Sequence, residues 1–172
     1  MAEDTDVENL GLLGDGESFR DELCRLIETA PMFSHLKHAE IRTLANFMRA
    51  YVAKKGTVIF REGDKGRFMC IVLSGRVDIM KESPERERKK IAVVRPGKSM
   101  GEMSLLDELP YSASAVANED STLLMLTKLN FERLSEEHPL LYNTLLRQLA
   151  RLMSLRLRQT TGVLVDYLSD YN

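Results

Sequence analysis

The apolar positions change their period several times along the chain. Behind Ser18, which can cap a helix, Phe19, Leu23, Leu26 and Ile27 recur at helical spacing, and Pro31 ends the run. Leu36, Ile41, Leu44, Ala45 and Phe47 predict a second short helix over His35 to Phe47. From Met48 to Thr127 the period becomes two, and turn residues cut the β-branched and aromatic runs at close intervals. The strands expected there are Arg49–Ala53, Thr57–Arg61, Phe68–Leu73, Arg76–Lys81, Lys90–Arg95, Ser114–Ala117 and Leu123–Thr127, as in an antiparallel sandwich or barrel. Glu82 to Lys89, with Pro84 and alternating charge, reads as a solvated hairpin tip. Helical spacing returns with Phe131 and Leu134, and Pro139 opens a long helix expected to run to about Gln159. Gly162 then predicts a break, with a short returning helix behind it.

Composition narrows the picture. Residues 1–17 carry Glu3, Asp4, Asp6, Glu8, Asp15 and Glu17 with Gly11, Gly14 and Gly16 and no cation, and are expected to be an acidic disordered tail. With 172 residues, 44% of them hydrophobic, the chain can bury one substantial core. The expected organisation is the tail, one domain with flanking helices over 18–160, and a short C-terminal extension over 161–172. A net charge of -2 provides no global basic field, so DNA is not an expected partner. Cys24 and Cys70 stand far apart without metal-ligand spacing, which suggests buried thiols in a reducing compartment. No signal-peptide order and no spanning apolar run are present, so the expected location is cytoplasmic, with no transmembrane segment. His35, His38 and His138 have no companions of ligand type, and no metal site is expected. No nucleophile with a plausible base, no GxSxG and no Walker loop occur, so no catalytic residue, enzymatic activity or cofactor is expected.

The most informative stretch is Gly101-Glu102-Met103-Ser104-Leu105-Leu106-Asp107-Glu108-Leu109-Pro110-Tyr111-Ser112-Ala113, inserted between two strands. Together with Phe60-Arg61-Glu62-Gly63-Asp64 and Leu73-Ser74-Gly75-Arg76-Val77, it resembles the phosphate-binding cassette and flanking turns of cyclic-nucleotide-binding domains. Catabolite activator proteins and protein kinase regulatory subunits carry such domains, and the resemblance runs from about Pro31 to Arg158. It implies a mainly β fold, an antiparallel β jelly roll with N-terminal helices and a long C-terminal helix, acting as a cyclic-nucleotide sensor that signals to a protein partner. The implied ligand is cAMP or cGMP. Glu102 would accept the ribose 2'-hydroxyl in a charge-assisted bond, and backbone amides near Met103 and Ser104 would receive the cyclic phosphate. Val93, Val58 and Ile71 are candidates for the apolar wall behind the sugar. Taken by itself, a Gly-Glu pair before a short apolar helix is also an ordinary turn whose acidic residue suits the helix dipole.

One departure bears on function. The resemblance implies an arginine nine or ten residues after the glutamate to pair with the phosphate, and Tyr111 and Ser112 stand there instead. Ser112 can donate a hydroxyl and Tyr111 a phenol, but neither supplies a counter-charge. A ligand-free interaction domain, or a module for another ligand such as a cyclic dinucleotide, is therefore the alternative. On the long helix Tyr142, Leu145, Leu149 and Leu152 form a seam at spacings of three and four, which predicts a homodimer. Arg147 and Arg151 share one face of that helix and are candidate caps on the ligand, against a plain reading as solvated cations. In catabolite-activator relatives a winged helix-turn-helix follows the long helix. Only 14 residues follow Arg158 here, so no such DNA reader is expected.

Overall fold

The structure is a computed structural model that describes residues 9–14 and 17–169. Its first compact unit ends at Arg133 and its second begins at Leu134. In the first, β1 (Gly11–Leu12) precedes α1 (Glu17–Thr29), a 3-10 turn over Pro31–Phe33 and α2 (His38–Leu44). Then come β2 (Met48–Ala53), β3 (Val58–Phe60), β4 (Phe68–Ser74), β5 (Val77–Glu82), β6 (Arg88–Val94), β7 (Ser99–Met100), α3 (Glu102–Asp107), β8 (Ser114–Ala117) and β9 (Ser121–Thr127). They form two antiparallel sheets, in the orders β1-β2-β9-β4-β7 and β3-β8-β5-β6. This is the expected mainly β sandwich with flanking helices.

The sheets explain which strands were easy to read. β9 and β4 lie inside the first sheet, so they read as nearly continuous apolar runs, Leu123 to Leu126 and Phe68 to Val72. Tyr51, Ile59, Phe60, Phe68, Val77 and Leu123 belong to the core between the sheets. Cys24 and Cys70 are both buried free thiols, and burial pushes both thiols up from their ordinary range, which makes them poor nucleophiles.

Several boundaries differ from the sequence expectations. The second helix covers only His38–Leu44, because Lys37 is extended and Pro31–Phe33 takes its own 3-10 turn; the Glu40 carboxylate accepts the Lys37 amide at 2.8 Å and fixes the helix start. Part of the expected tail is structured: Gly11 and Leu12 pair with Val52 and Tyr51, and the Leu13 amide donates to the Ala50 carbonyl. The expected disorder of residues 1–8 lies outside the described residues.

Helix α4 (Lys128–Glu137) crosses from the first unit to the second, and α5 (Pro139–Ser169) completes the second. The break expected at Gly162 is absent, and so is the separate extension after residue 160: α5 passes straight through. A glycine in an exposed helix turn costs about 1 kcal/mol relative to alanine, which the hydrogen-bonded turns on either side absorb. No helix among the described residues is long and apolar enough to cross a membrane.

Candidate functional site

The cassette stretch leaves the sheet at β7 and returns at β8. Gly101 marks the departure with φ of 80°, a left-handed conformation that favours glycine. Space demands glycine as well, because a Cβ there would stand 2.9 Å from the Phe68 carbonyl oxygen and 3.3 Å from Cε1 of Tyr111. α3 follows at once. Glu102, its first residue, is 1% exposed, and its Oε2 makes no hydrogen bond. Ser104 is buried, and Met103 is half exposed. Gly66, on the loop between β3 and β4, lets that loop close over the helix: a Cβ at Gly66 would stand 2.0 Å from the Cβ of Ser104.

Tyr111 ends the cassette as part of the core. It is 4% exposed and stacked on Phe60, with Phe68 edge-on to both rings. Its hydroxyl donates to the Phe68 carbonyl at 2.8 Å and accepts from the Phe68 and Arg67 amides at 3.1 and 3.2 Å. Its backbone is strapped to the same loop, with Gly63 N–H donating to the Tyr111 carbonyl and Tyr111 N–H to the Asp64 carbonyl, both at 2.9 Å. Ser112 is exposed, and its carbonyl accepts from Lys81 Nζ at 2.7 Å. Lys81 also pairs with the Glu62 carboxylate, which that bond and the Glu82 amide hold below the usual carboxylate range.

A family profile described as the cyclic nucleotide-binding domain matches residues 52–138, half of the chain. The chain belongs to that family. The cyclic nucleotide-binding domain here is 35% identical over 122 residues to the cyclic AMP receptor protein of Thermus thermophilus, a match covering 71% of this chain and 56% of the receptor. It is 30% identical over 128 residues to a cAMP-dependent protein kinase regulatory subunit of Eremothecium gossypii, covering 72% of this chain and 27% of that subunit. A solved cyclic nucleotide-binding domain from Methylobacillus flagellatus superposes with a TM-score of 0.80 at 28% identity, over 92% of this chain and 89% of that one. The chain thus spans a little over half the length of the Thermus receptor. The antiparallel jelly roll implied by the resemblance is the fold observed.

Within the cyclic nucleotide-binding domain, the expected ligand residues fall into two groups. Gly101, Glu102, Met103 and Ser104 open α3 together, whereas Tyr111 points into the core and Ser112 to solvent. Of the expected wall residues, Val93 is exposed on β6, Val58 is half-buried on β3, and Ile71 is fully buried within β4. Sequence reasoning missed Ile91, which is 58% exposed on β6 two residues before Val93, where the β5–β6 register shifts and Ile91 has no partner across the ladder. Arg147 and Arg151 lie exposed on α5 in the second unit. Leu145 and Leu149 of the expected seam are already buried in the single chain, and Leu152 is half-buried. Among the described residues no group of three or more His, Cys, Asp or Glu could hold a metal ion.

Proposed function

We propose that this domain is a regulatory module that takes a cyclic nucleotide at α3, with Glu102 on the ribose and the amides of Met103 and Ser104 at the phosphate. The observation that carries the reading is the turn at Gly101, whose left-handed backbone and lack of a side chain open a helix that begins with a buried carboxylate. Ile91 and Val93, exposed on β6, supply apolar surface for a base or sugar. The Thermus relative is named a cyclic AMP receptor and the Eremothecium relative a cAMP-dependent regulatory subunit, so cAMP is the first ligand to test. A neutral tyrosine in place of the cation makes the affinity low, because a hydrogen bond from a charged donor contributes about 1.5 to 3 kcal/mol.

One observation favours a second reading, a ligand-free interaction domain: the Tyr111 hydroxyl is fully engaged with the backbone of Arg67 and Phe68 and its ring is stacked in the core, so it offers a phosphate nothing. Calorimetry with cAMP and cGMP separates the two. Saturable binding that is lost in Glu102→Ala, a variant checked for unchanged fold, supports the sensor. No heat at millimolar nucleotide leaves the interaction domain.

Readout through the long helix completes the proposal. Leu146, Met153, Leu157 and Leu164 follow one another at the seven- and four-residue steps of a heptad seam, and Leu157 and Leu164 are well exposed. We assign a homodimer seam to this face, in place of the buried Leu145 and Leu149.

A further inference from the structure

The N-terminal end of the described chain comes in beside the nucleotide site. Asn9 lies on the lining of a cavity of about 360 Å³, together with Val58, Phe60, Arg61, Lys65 and Tyr111. The chain is anchored immediately behind it. Leu10 belongs to the same core cluster as Tyr51 and Phe60, Gly11 and Leu12 pair with Val52 and Tyr51, and the Leu13 amide donates to the Ala50 carbonyl at 2.9 Å. These contacts place the junction with residues 1–8 on the wall of the cavity.

The wall and the segment that joins it there are opposite in charge. Arg61 and Lys65 form no ion pair with any described residue, and Asp64 on the same lining offsets only one of their two charges. Like charges around one cavity repel, so an anion there is stabilised. Residues 1–8 contain Glu3, Asp4, Asp6 and Glu8 and no Lys or Arg. An extended chain spans at most ~3.5 Å per residue, so the backbone of Asp6 can be no more than about 10 Å from that of Asn9. A short tether also holds its carboxylates at an effective concentration of about a millimolar.

We infer that the acidic segment 1–8 is a tethered occupant of this cavity, with the Asp6 and Glu8 carboxylates on Arg61 and Lys65. Its consequence rests on the nucleotide reading of α3. Tyr111 lines the cavity and stands against Gly101, Val58 is a candidate wall for the sugar, and Gly66, on the loop that carries Arg61 and Lys65, packs against Ser104. A cyclic nucleotide and the segment therefore exclude one another, by shared walls and by like charge. The domain carries its own competitor, and the nucleotide must displace it to bind.

The test compares the full chain with Glu3→Gln/Asp4→Asn/Asp6→Asn/Glu8→Gln, in which the segment keeps its length and loses its charge. At low salt the amides of residues 58–67 should differ between the two chains, and at about 0.5 M salt, where the attraction is screened, they should converge. Calorimetry should show cAMP binding the neutralised chain at least five times more tightly. Amides 58–67 that ignore the neutralisation, or differences confined to another face, would overturn the docking. Differences at 58–67 that grow with protein concentration would assign the carboxylates to a second copy and overturn the tether. Equal cAMP affinity in the two chains would overturn the competition. No heat with cAMP in either chain would remove the nucleotide reading of α3, while the amide comparison decides the docking by itself.

Discussion

The ring of Tyr111 lies flat on the ring of Phe60, with centroids 4.0 Å apart and planes 14° from parallel. Offset stacking of this kind adds about 0.5 to 1.5 kcal/mol beyond the burial of area. Position 111 is therefore part of the core, and its substitution acts on stability before it acts on ligand.

Two variants of Tyr111 separate these effects. Tyr111→Phe keeps the stack and removes the hydroxyl, leaving buried backbone groups of Phe68 without that partner. The expected loss is about 1 to 3 kcal/mol in urea unfolding. Tyr111→Arg places a buried charge in the same position, at a cost of roughly 3 to 5 kcal/mol without an anion. With cAMP present at a hundred times its dissociation constant, about 2.7 kcal/mol should return. A melting temperature for Tyr111→Arg that ignores cAMP would count against a nucleotide at α3.

Gly66 and Ser104 make a second pair whose coupling can be measured. Gly66→Ala would bring two Cβ atoms to 2.0 Å, so the loop or the helix must move. Overpacking of this size destabilises by about 1 to 3 kcal/mol. Ser104→Gly in the same chain removes the obstructing atom, and the double variant should be more stable than Gly66→Ala alone, a departure from additivity readable in a double-mutant cycle.

Much of this arrangement was legible in the sequence, and the exceptions have physical reasons. The seven strands with clear alternation or long apolar runs appear within about two residues of their expected ends. β1 and β7 contain two residues each, too short for any period to register. Gly101 and Glu102 were legible because a left-handed turn and a buried acid leave marks in residue type. The direction of Tyr111 was not, because an aromatic side chain at a strand approach can face the ligand or the core, and only the partners Phe60 and Phe68 decide it. The burial of Leu145 and Leu149 was not legible for a related reason: they have the spacing of a dimer face, but spacing does not tell which apolar face is already covered in the single chain.

Acid should weaken the fold at two loop anchors. Asp120 accepts from Lys54 Nζ at 2.8 Å and from the Lys55 amide at 2.9 Å, and the two bonds hold its carboxyl below the usual range, as Lys81 does for Glu62. A carboxyl depressed in the folded state binds protons more readily when unfolded, so its contribution is present above the ordinary carboxylate range and fades as pH falls through the folded value. The urea midpoint should stay level from about pH 7 to about pH 5 and drop below about pH 4. Asp120→Asn combined with Glu62→Gln should flatten that drop.

The seam proposed on α5 predicts its own outcome. Light scattering at tens of micromolar should give the mass of a dimer, and Leu157→Glu, at a side chain 69% exposed in the single chain, should give the mass of a monomer without lowering the melting temperature of the sandwich. A monomer in both, or a dimer in both, would remove the seam from Leu157.

The order of the second sheet leaves β6 at its rim, and the other rims, β1, β3 and β7, are only two or three residues long. β6 is thus the one long border, among the described residues, where a foreign strand could zip onto this sandwich. It begins Arg88-Lys89-Lys90, three successive positive charges that are exposed to water and would have to be dehydrated for a foreign strand to pair there. The exposed Ile91 and Val93 can stay uncovered there without turning the domain into a seed for aggregates.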